Sequence, residues 1–251
     1  MAAKPLAARG IVVTRPRELA ANLAALIESA GGRAIRFPTI EIEDLPPPTA
    51  LRRLERYDLA VFISPTAAAK VLAQAGAWPR GLRTAAVGAG TRRELERGGV
   101  AGVLAPRGAA DSEALLALPE LAAVSGKRIV IFRGGEGRRL LGEALAARGA
   151  SVEYAECYRR RRPAADPAAL LGDWERGAVH AVTVSSSEGF GNLLALLGDK
   201  GAARVRATPL FVPHSRVAAH ASGEGVREVV VAGPGDDAVL ERLVAYFHER
   251  A

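Results

Sequence analysis

Several short stretches carry side chains that could do chemistry: Thr14-Arg15-Pro16, Ser64-Pro65-Thr66, Gly88-Ala89-Gly90-Thr91, Arg133-Gly134-Gly135, Ser185-Ser186-Ser187 and His214-Ser215. Each follows an apolar run of strand character and opens helical sequence, most plainly in DLAVFISPTAAAKVL at 58–72. The carboxyl end of a strand and the start of a helix is where an α/β protein keeps its ligands. Hydroxyls, first-turn N–H groups and a few arginines suit carboxylates. Each such contact contributes about 0.3–1 kcal/mol when exposed, so a ligand with many carboxylates gains most. The same serines and threonines read equally well as helix N-caps. Repetition does not separate the two readings, because a duplicated cap would also repeat.

Other chemistries lack their residues. VGAGT at 87–91 and RGGEGR at 133–138 hint at nucleotide loops, but the last glycine of G-x-G-x-x-G falls on Arg93, and no P-loop pattern is present. His214 and His220 are off the spacing of a helical metal pair, and Cys157 stands alone. Glu41, Glu43 and Glu156 are not spaced as a working carboxylate pair, and no nucleophile–base constellation is visible. Tyr158, just before the basic run Arg159–Arg162, either packs or faces a cleft.

Bulk properties narrow the class. The 251 residues are 49% hydrophobic but only 5% aromatic, so the cores are aliphatic. The net charge of +7 comes mostly from arginines scattered along the chain, with few aromatics to stack on bases. That pattern argues against nucleic acid and fits an anionic small molecule. No apolar run is long enough to cross a bilayer. MAAKPLAARG has no apolar segment of a secretory signal, and a single cysteine excludes an internal disulfide framework; a cytoplasmic protein with no membrane partner is expected.

The elements that must position these residues occur twice. GIVVTRPRELAANLAALIESAGGRAIRF (10–37) resembles GKRIVIFRGGEGRRLLGEALAARGASVEY (126–154): strand, arginine-bearing turn, amphipathic helix, glycine stop, strand. Leu19, Leu23, Leu26 and Ile27 keep helical spacing in the first copy, as do Leu140, Leu141 and Leu145 in the second. LAVFISPTAAAKVL aligns with HAVTVSSSEGFGNLL (180–194) so that Ser64 meets Ser185 and Thr66 meets Ser187. AAVGAGTRRELERGGV (85–100) pairs with LFVPHSRVAAHASGEGV (210–226), and GAADSEALL (108–116) with PGDDAVL (234–240). The fold class expected is α/β: two similar flavodoxin-like parallel-sheet lobes from a tandem duplication, with a cleft between them. FPTIEIEDLPPPTA (37–50) and VEYAECYRRRRPAADP (152–167) interrupt the alternation and read as linkers, although a plain duplication would cut near Ser125-Gly126.

The ordered set VVTRP, FPTIEI, DLAVFISPTAA, AAVGAGT, DSEALL, RGGEGRRLL, VEYAECYRR, AVTVSSSEG and LFVPHSRVA, spanning about residues 10 to 245, resembles the uroporphyrinogen-III synthase family. The resemblance implies lobe one at 1–38 plus 163–251, lobe two at 44–157, and a two-stranded connecting ladder at about 37–43 and 154–162. It implies a hydro-lyase that closes the linear tetrapyrrole hydroxymethylbilane, which carries eight carboxylates, to uroporphyrinogen III. Water is lost and the last ring inverted through an azafulvene cation and a spiro intermediate, with no cofactor and no metal. Residue by residue it implies Tyr158 as a catalytic acid or donor. Ser64, Thr66, Thr91, Ser185 and Ser186 become carboxylate binders, joined by Arg15, Arg133, Arg138 and His214. Many members have a glycine-threonine turn where this chain has Pro213-His214-Ser215-Arg216, so contacts there are expected to differ. A monomer is implied, with transient contact to hydroxymethylbilane synthase (porphobilinogen deaminase) as its protein partner. The alternative is a non-catalytic two-lobed binding or regulatory protein for an anionic metabolite; a glycosyltransferase-like pair of lobes would need a nucleotide-sugar site that the sequence lacks.

Overall fold

The computed structural model describes residues 4–108, 111–135 and 139–250. Along the chain come β1 (Gly10–Val13), α1 (Arg17–Ser29), β2 (Arg33–Arg36), β3 (Glu41–Asp44), a 3₁₀ segment (Thr49–Arg56), β4 (Leu59–Phe62), α2 (Pro65–Ala75), β5 (Arg83–Ala86) and α3 (Ala89–Arg97). There follow α4 (Ser112–Leu116), a 3₁₀ turn (Pro119–Leu121), β6 (Arg128–Gly134), α5 (Leu140–Ala147), β7 (Ser151–Arg161), α6 (Ala168–Glu175) and β8 (Ala181–Thr183). The last elements are α7 (Ser187–Ala207), β9 (Leu210–Val212), α8 (Ser215–Gly223), β10 (Val229–Val231) and α9 (Asp236–His248). No helix among the described residues is long and apolar enough to cross a membrane.

Two compact units result: residues Met1–Glu41 with Arg161–Ala251, and residues Ile42–Arg160. The first holds a parallel sheet in the order β10-β9-β8-β1-β2. The second holds β3-β7-β6-β4-β5, parallel from β7 to β5. The doubly wound arrangement expected from strand–helix alternation is present in both units. The strands paired by the sequence repeat occupy equivalent places: β9-β8-β1-β2 in one sheet and β5-β4-β6-β7 in the other. A parallel bridge from Ala85 to Leu104 even stands beside β5 as β10 stands beside β9. Residues 154–162, read from sequence as connecting ladder, are largely the second half of β7. That strand stays paired to β6 as far as Tyr158 and has β3 on its other side.

Continuous apolar strands are what a sheet covered on both faces requires, and the alternation of side chains sends neighbours to opposite layers. In the first unit Val12, Val182, Leu210 and Val212 pack with Leu170, Trp174, Phe190 and Leu193. On the other face Ile11, Val13 and Phe211 meet Leu23 and Ile27 of α1 and Leu243 and Tyr246 of α9. In the second unit Phe62, Val130 and Phe132 face α2 and α3, while Leu59, Val61, Ile129 and Ile131 face α4 and α5. Leu19 differs from its expected place on the apolar stripe: Ala20, Leu23, Ala24 and Ile27 supply that stripe, and Leu19 is 47% exposed.

In each sheet the winding reverses once, between β1 and β8 in the first unit and between β4 and β6 in the second. A crevice outside the carboxyl ends of the strands at such a reversal is the usual ligand position. Thr14-Arg15 and Ser185-Ser186 flank one reversal; Ser64-Pro65 and Gly134-Gly135 flank the other.

Candidate active site

In the second unit, β4 ends and Ser64 turns the chain into α2. Its backbone is extended (φ −157°, ψ 154°), Pro65 sits at the first helical position, and Ser64 Oγ accepts from the Ala67 N–H at 3.0 Å. That is an N-cap, as one sequence reading held. The same oxygen also lies 3.0 Å from the Tyr158 hydroxyl, 94 residues away in sequence. Two candidates chosen separately thus form a hydrogen-bonded couple.

Tyr158 reaches Ser64 because of a register slip. β7 pairs with β6 residue for residue up to Arg133↔Glu156, and then Gly134 pairs with Tyr158, skipping Cys157. Such a bulge re-aims the following side chain. Cys157 and Tyr158 are consequently both buried, at 2% exposure each, against the same core cluster. The ring lies over Gly134, where an added Cβ would sit 2.7 Å from Tyr158 Cζ, so glycine is required there by close approach. Burial pushes the Cys157 thiol up to about 12, against the partial help of a backbone hydrogen bond from Arg133.

Arg133 is only 6% exposed, and its guanidinium folds onto its own turn. Nε–H donates to the carbonyls of Gly134 and Gly135, both at 3.0 Å, and Nη2 donates to Gly135 O at 2.6 Å. With Tyr154's ring 5.1 Å from Cζ and the Gly135 N–H bonded to Tyr158 O, this arginine holds the strand-end turn in shape. Arg138 lies outside the described residues. Thr66 is half-buried in the first turn of α2. Thr91, expected as a ligand-facing hydroxyl, is instead 2% exposed, because helix α3 turns that position inward together with Leu95. The turns at 64–66 and 88–91 do adjoin: a Cβ added to Gly90 would be 3.7 Å from Pro65 Cγ.

In the first unit, Ser186 is the N-cap of α7, accepting from the Gly189 N–H at 3.0 Å, and Ser185 is exposed. The equivalent of Ser64 is therefore Ser186. The one-residue offset from the sequence alignment arises because β8 and its turn place the cap one position later. Arg15 is ion-paired with Asp236 at the start of α9, and Asp236 also accepts from Asn22 Nδ2 at 2.7 Å. His214 precedes α8, exposed and without a side-chain capping bond. The residues that sequence reading missed lie beneath these turns. Thr14 Oγ1 donates to Thr183 O at 2.8 Å, Thr183 Oγ1 donates to Val12 O at 3.0 Å, and Thr39 Oγ1 donates to Thr14 O at 3.2 Å. Asn192 Nδ2 ties Thr39 O to helix α7 at 3.0 Å. Three buried threonines at strand ends offered a signal only in hindsight, since threonine is common in strands.

The arrangement is a set of hydroxyls and helix starts, at the winding reversal of each sheet, rigidly backed by buried polar bonds. Sequence comparison decides what family carries it. The family model described as "Uroporphyrinogen-III synthase HemD" matches residues 21–241. The chain belongs to the uroporphyrinogen-III synthase family. A uroporphyrinogen-III synthase of Salmonella typhimurium is 35% identical over 246 residues, covering 93% of this chain and 99% of that protein. The Escherichia coli uroporphyrinogen-III synthase is 34% identical, with coverage of 93% and 99%. Among solved structures, a mutant uroporphyrinogen III synthase of Thermus thermophilus matches with a TM-score of 0.62 at 20% identity, covering 97% of this chain and all of that one. The Helicobacter pylori uroporphyrinogen-III synthetase matches with a TM-score of 0.61 at 12% identity, covering 95% and 99%. At those identities the structural likeness carries the fold, and the uroporphyrinogen-III synthase assignment rests on the sequence matches.

Proposed function

We propose that this chain is a lyase that closes hydroxymethylbilane to uroporphyrinogen III in tetrapyrrole biosynthesis, losing water and inverting ring D through a spiro intermediate. The observation that carries this reading is the family match over residues 21–241. The geometry supports it: the candidate hydroxyls gather at the strand ends where each sheet reverses.

Departure of the terminal hydroxyl requires a proton on its oxygen. In the proposed step the Tyr158 hydroxyl donates to Ser64 Oγ, which also accepts from the Ala67 N–H, and the Ser64 proton then points outward to the leaving group. Tyr158 is the acid and Ser64 relays its proton. Water leaves, the azafulvene cation remains, and the proton is recovered when the newly joined ring-D carbon loses its hydrogen. Thr66, Ser185, Ser186 and His214 are the proposed carboxylate-facing groups. Arg133 and the buried Thr91 act by shaping the turns, and Arg15 becomes available to a carboxylate by exchanging Asp236. Free hydroxymethylbilane closes unaided to the non-inverted isomer, so the catalyst's main task is holding a flexible polyanion in one shape. A hundredfold preference for inversion needs only about 2.7 kcal/mol, within the reach of positioning. Hydroxyls and N–H groups accomplish this without a strong base that would trap the cation. The same reading makes the chain a cytoplasmic monomer supplied by the deaminase.

The test is a coupled assay. A deaminase and porphobilinogen generate hydroxymethylbilane with and without the protein, and the oxidised isomers are separated by chromatography. A dominant III isomer only with the protein present is expected. An unchanged excess of isomer I, from protein with native circular dichroism, would overturn the reading and favour a non-catalytic binder.

A further inference from the structure

The second unit has a basic pocket at the end of its sheet opposite to Ser64 and Tyr158. Arg53, Arg56, Tyr57, Arg128, Ser151 and Glu153 line a volume of about 180 Å³. Arg128 and Ser151 open β6 and β7, whereas Gly134 and Tyr158 pair near the other end of those strands. At about 3.3 Å per residue the two places are roughly 20 Å apart along the sheet.

The pocket is organised around one satisfied acid. Glu153 accepts from Arg53 Nη2 at 2.9 and 3.0 Å and from the Tyr57 hydroxyl at 2.6 Å, so its carboxylate is fully engaged by its neighbours. Burial, reinforced by Glu153, pushes Tyr57 up to about 12 and keeps it a neutral donor. Asp58, the other nearby acid, accepts the Arg128 backbone N–H at 2.8 Å and pairs with Lys127. What remains unsatisfied is positive. The Arg53 side chain is 41% exposed, yet its Nε is covered and has no acceptor. Among the described residues, the Arg56 side chain has no hydrogen bond or ion pair, and the Arg128 side chain has no hydrogen bond. Three guanidinium groups against one carboxylate leave an excess of two positive charges around a serine hydroxyl. A buried donor without a partner calls for an oxygen acceptor, and guanidinium forks match oxyanions bidentately.

We propose that this pocket binds a small doubly charged oxyanion, of which phosphate is the simplest and a short dicarboxylate the other source. Arg56, Arg128 and the free Arg53 Nε–H supply the donors, and Ser151 Oγ–H adds a neutral one. The pocket is too small for a whole tetrapyrrole. It shares β7 with Tyr158, so an occupant would rest on the strand that carries the proposed acid.

The experiment is calorimetric titration of the full chain with inorganic phosphate, and separately with succinate, at constant ionic strength held by sodium chloride. Saturable one-site binding is expected. It should weaken by about three- to tenfold in Arg56→Gln, and further in Arg56→Gln with Arg128→Gln, because each exposed charge pair contributes modestly. Both arginines are exposed, and circular dichroism checks that the variants fold. Phosphate binding with weak succinate binding assigns a tetrahedral oxyanion, and the converse assigns a dicarboxylate. No heat with either anion, or equal affinity in wild type and the double variant, overturns the proposal. Isomer-III formation is expected to be unchanged in both variants assayed without phosphate, so a failed titration and a failed cyclisation assay are independent results.

Discussion

Ser64→Ala should cost more than a lost cap, and a double-mutant cycle with Tyr158→Phe separates the parts. Removing the Ser64 hydroxyl deletes the N-cap to Ala67, worth about 1 kcal/mol. It also strands the hydroxyl of Tyr158, a residue only 2% exposed, for a further penalty of about 1–3 kcal/mol. Tyr158→Phe loses one hydrogen bond but leaves Ser64 capping α2, so about 1 kcal/mol is expected. In the double variant no buried hydroxyl is orphaned, and its cost should fall about 2 kcal/mol short of the sum of the singles. The assay is urea unfolding followed by tryptophan fluorescence in a Trp174→Phe background. The remaining Trp78 lies 5.7 Å from Phe62 in the same unit and reports on that unit. Additivity within about 0.5 kcal/mol would show that the two hydroxyls are not energetically coupled and would remove the proposed proton relay.

Four further outcomes are expected. Tyr158→Phe should slow formation of isomer III by up to about a hundredfold while leaving residual turnover, since positioning survives; unchanged turnover would dismiss Tyr158 as the acid. Gly10→Ala should lower stability by more than about 3 kcal/mol because its Cβ would fall 1.9 Å from the Ala178 carbonyl oxygen, whereas Gly90→Ala, 3.7 Å from its nearest neighbour, should be neutral or slightly stabilising in thermal melts. His180 is held below its ordinary value of 6.5, first by burial and then by Arg9, and its Nδ1 accepts from the Gly10 N–H at 3.0 Å. The unfolded chain therefore takes up the proton first as pH falls. The His180-linked stability is full above about 6.5 and is lost as pH drops through the lower folded value; urea midpoints against pH should lose this slope in His180→Gln. Finally, Cys157, pushed up to about 12 by burial, should react with a thiol reagent at the rate of unfolding and not before.

The sequence by itself determined the architecture and the address of the site. Apolar runs such as GIVV and LAVF can only be strands covered on both faces, and the glycines after α1 and α5, Gly31 and Gly149, take the positive φ values of 91° and 86° that end those helices. Matched motifs repeated in one order reported the duplication, and the two sheets carry it in the same strand order. The hydroxyl-bearing turns were legible because a strand–turn–helix junction is a local pattern. What only the tertiary structure decided is which way those groups face and whom they meet. Period-two alternation puts Tyr158 on the opposite face from Cys157; one skipped residue in the β6–β7 register turns both inward and brings Tyr158 to Ser64. Arg133 and Arg15 looked like free cations, yet one is folded onto Gly134 and Gly135 and the other is paired with Asp236, 221 residues on. Thr14, Thr39 and Thr183 acquired meaning only when β1 and β8 came side by side. Long-range hydrogen bonds and register leave no local trace in a chain, so their partners are fixed by packing and not by spacing.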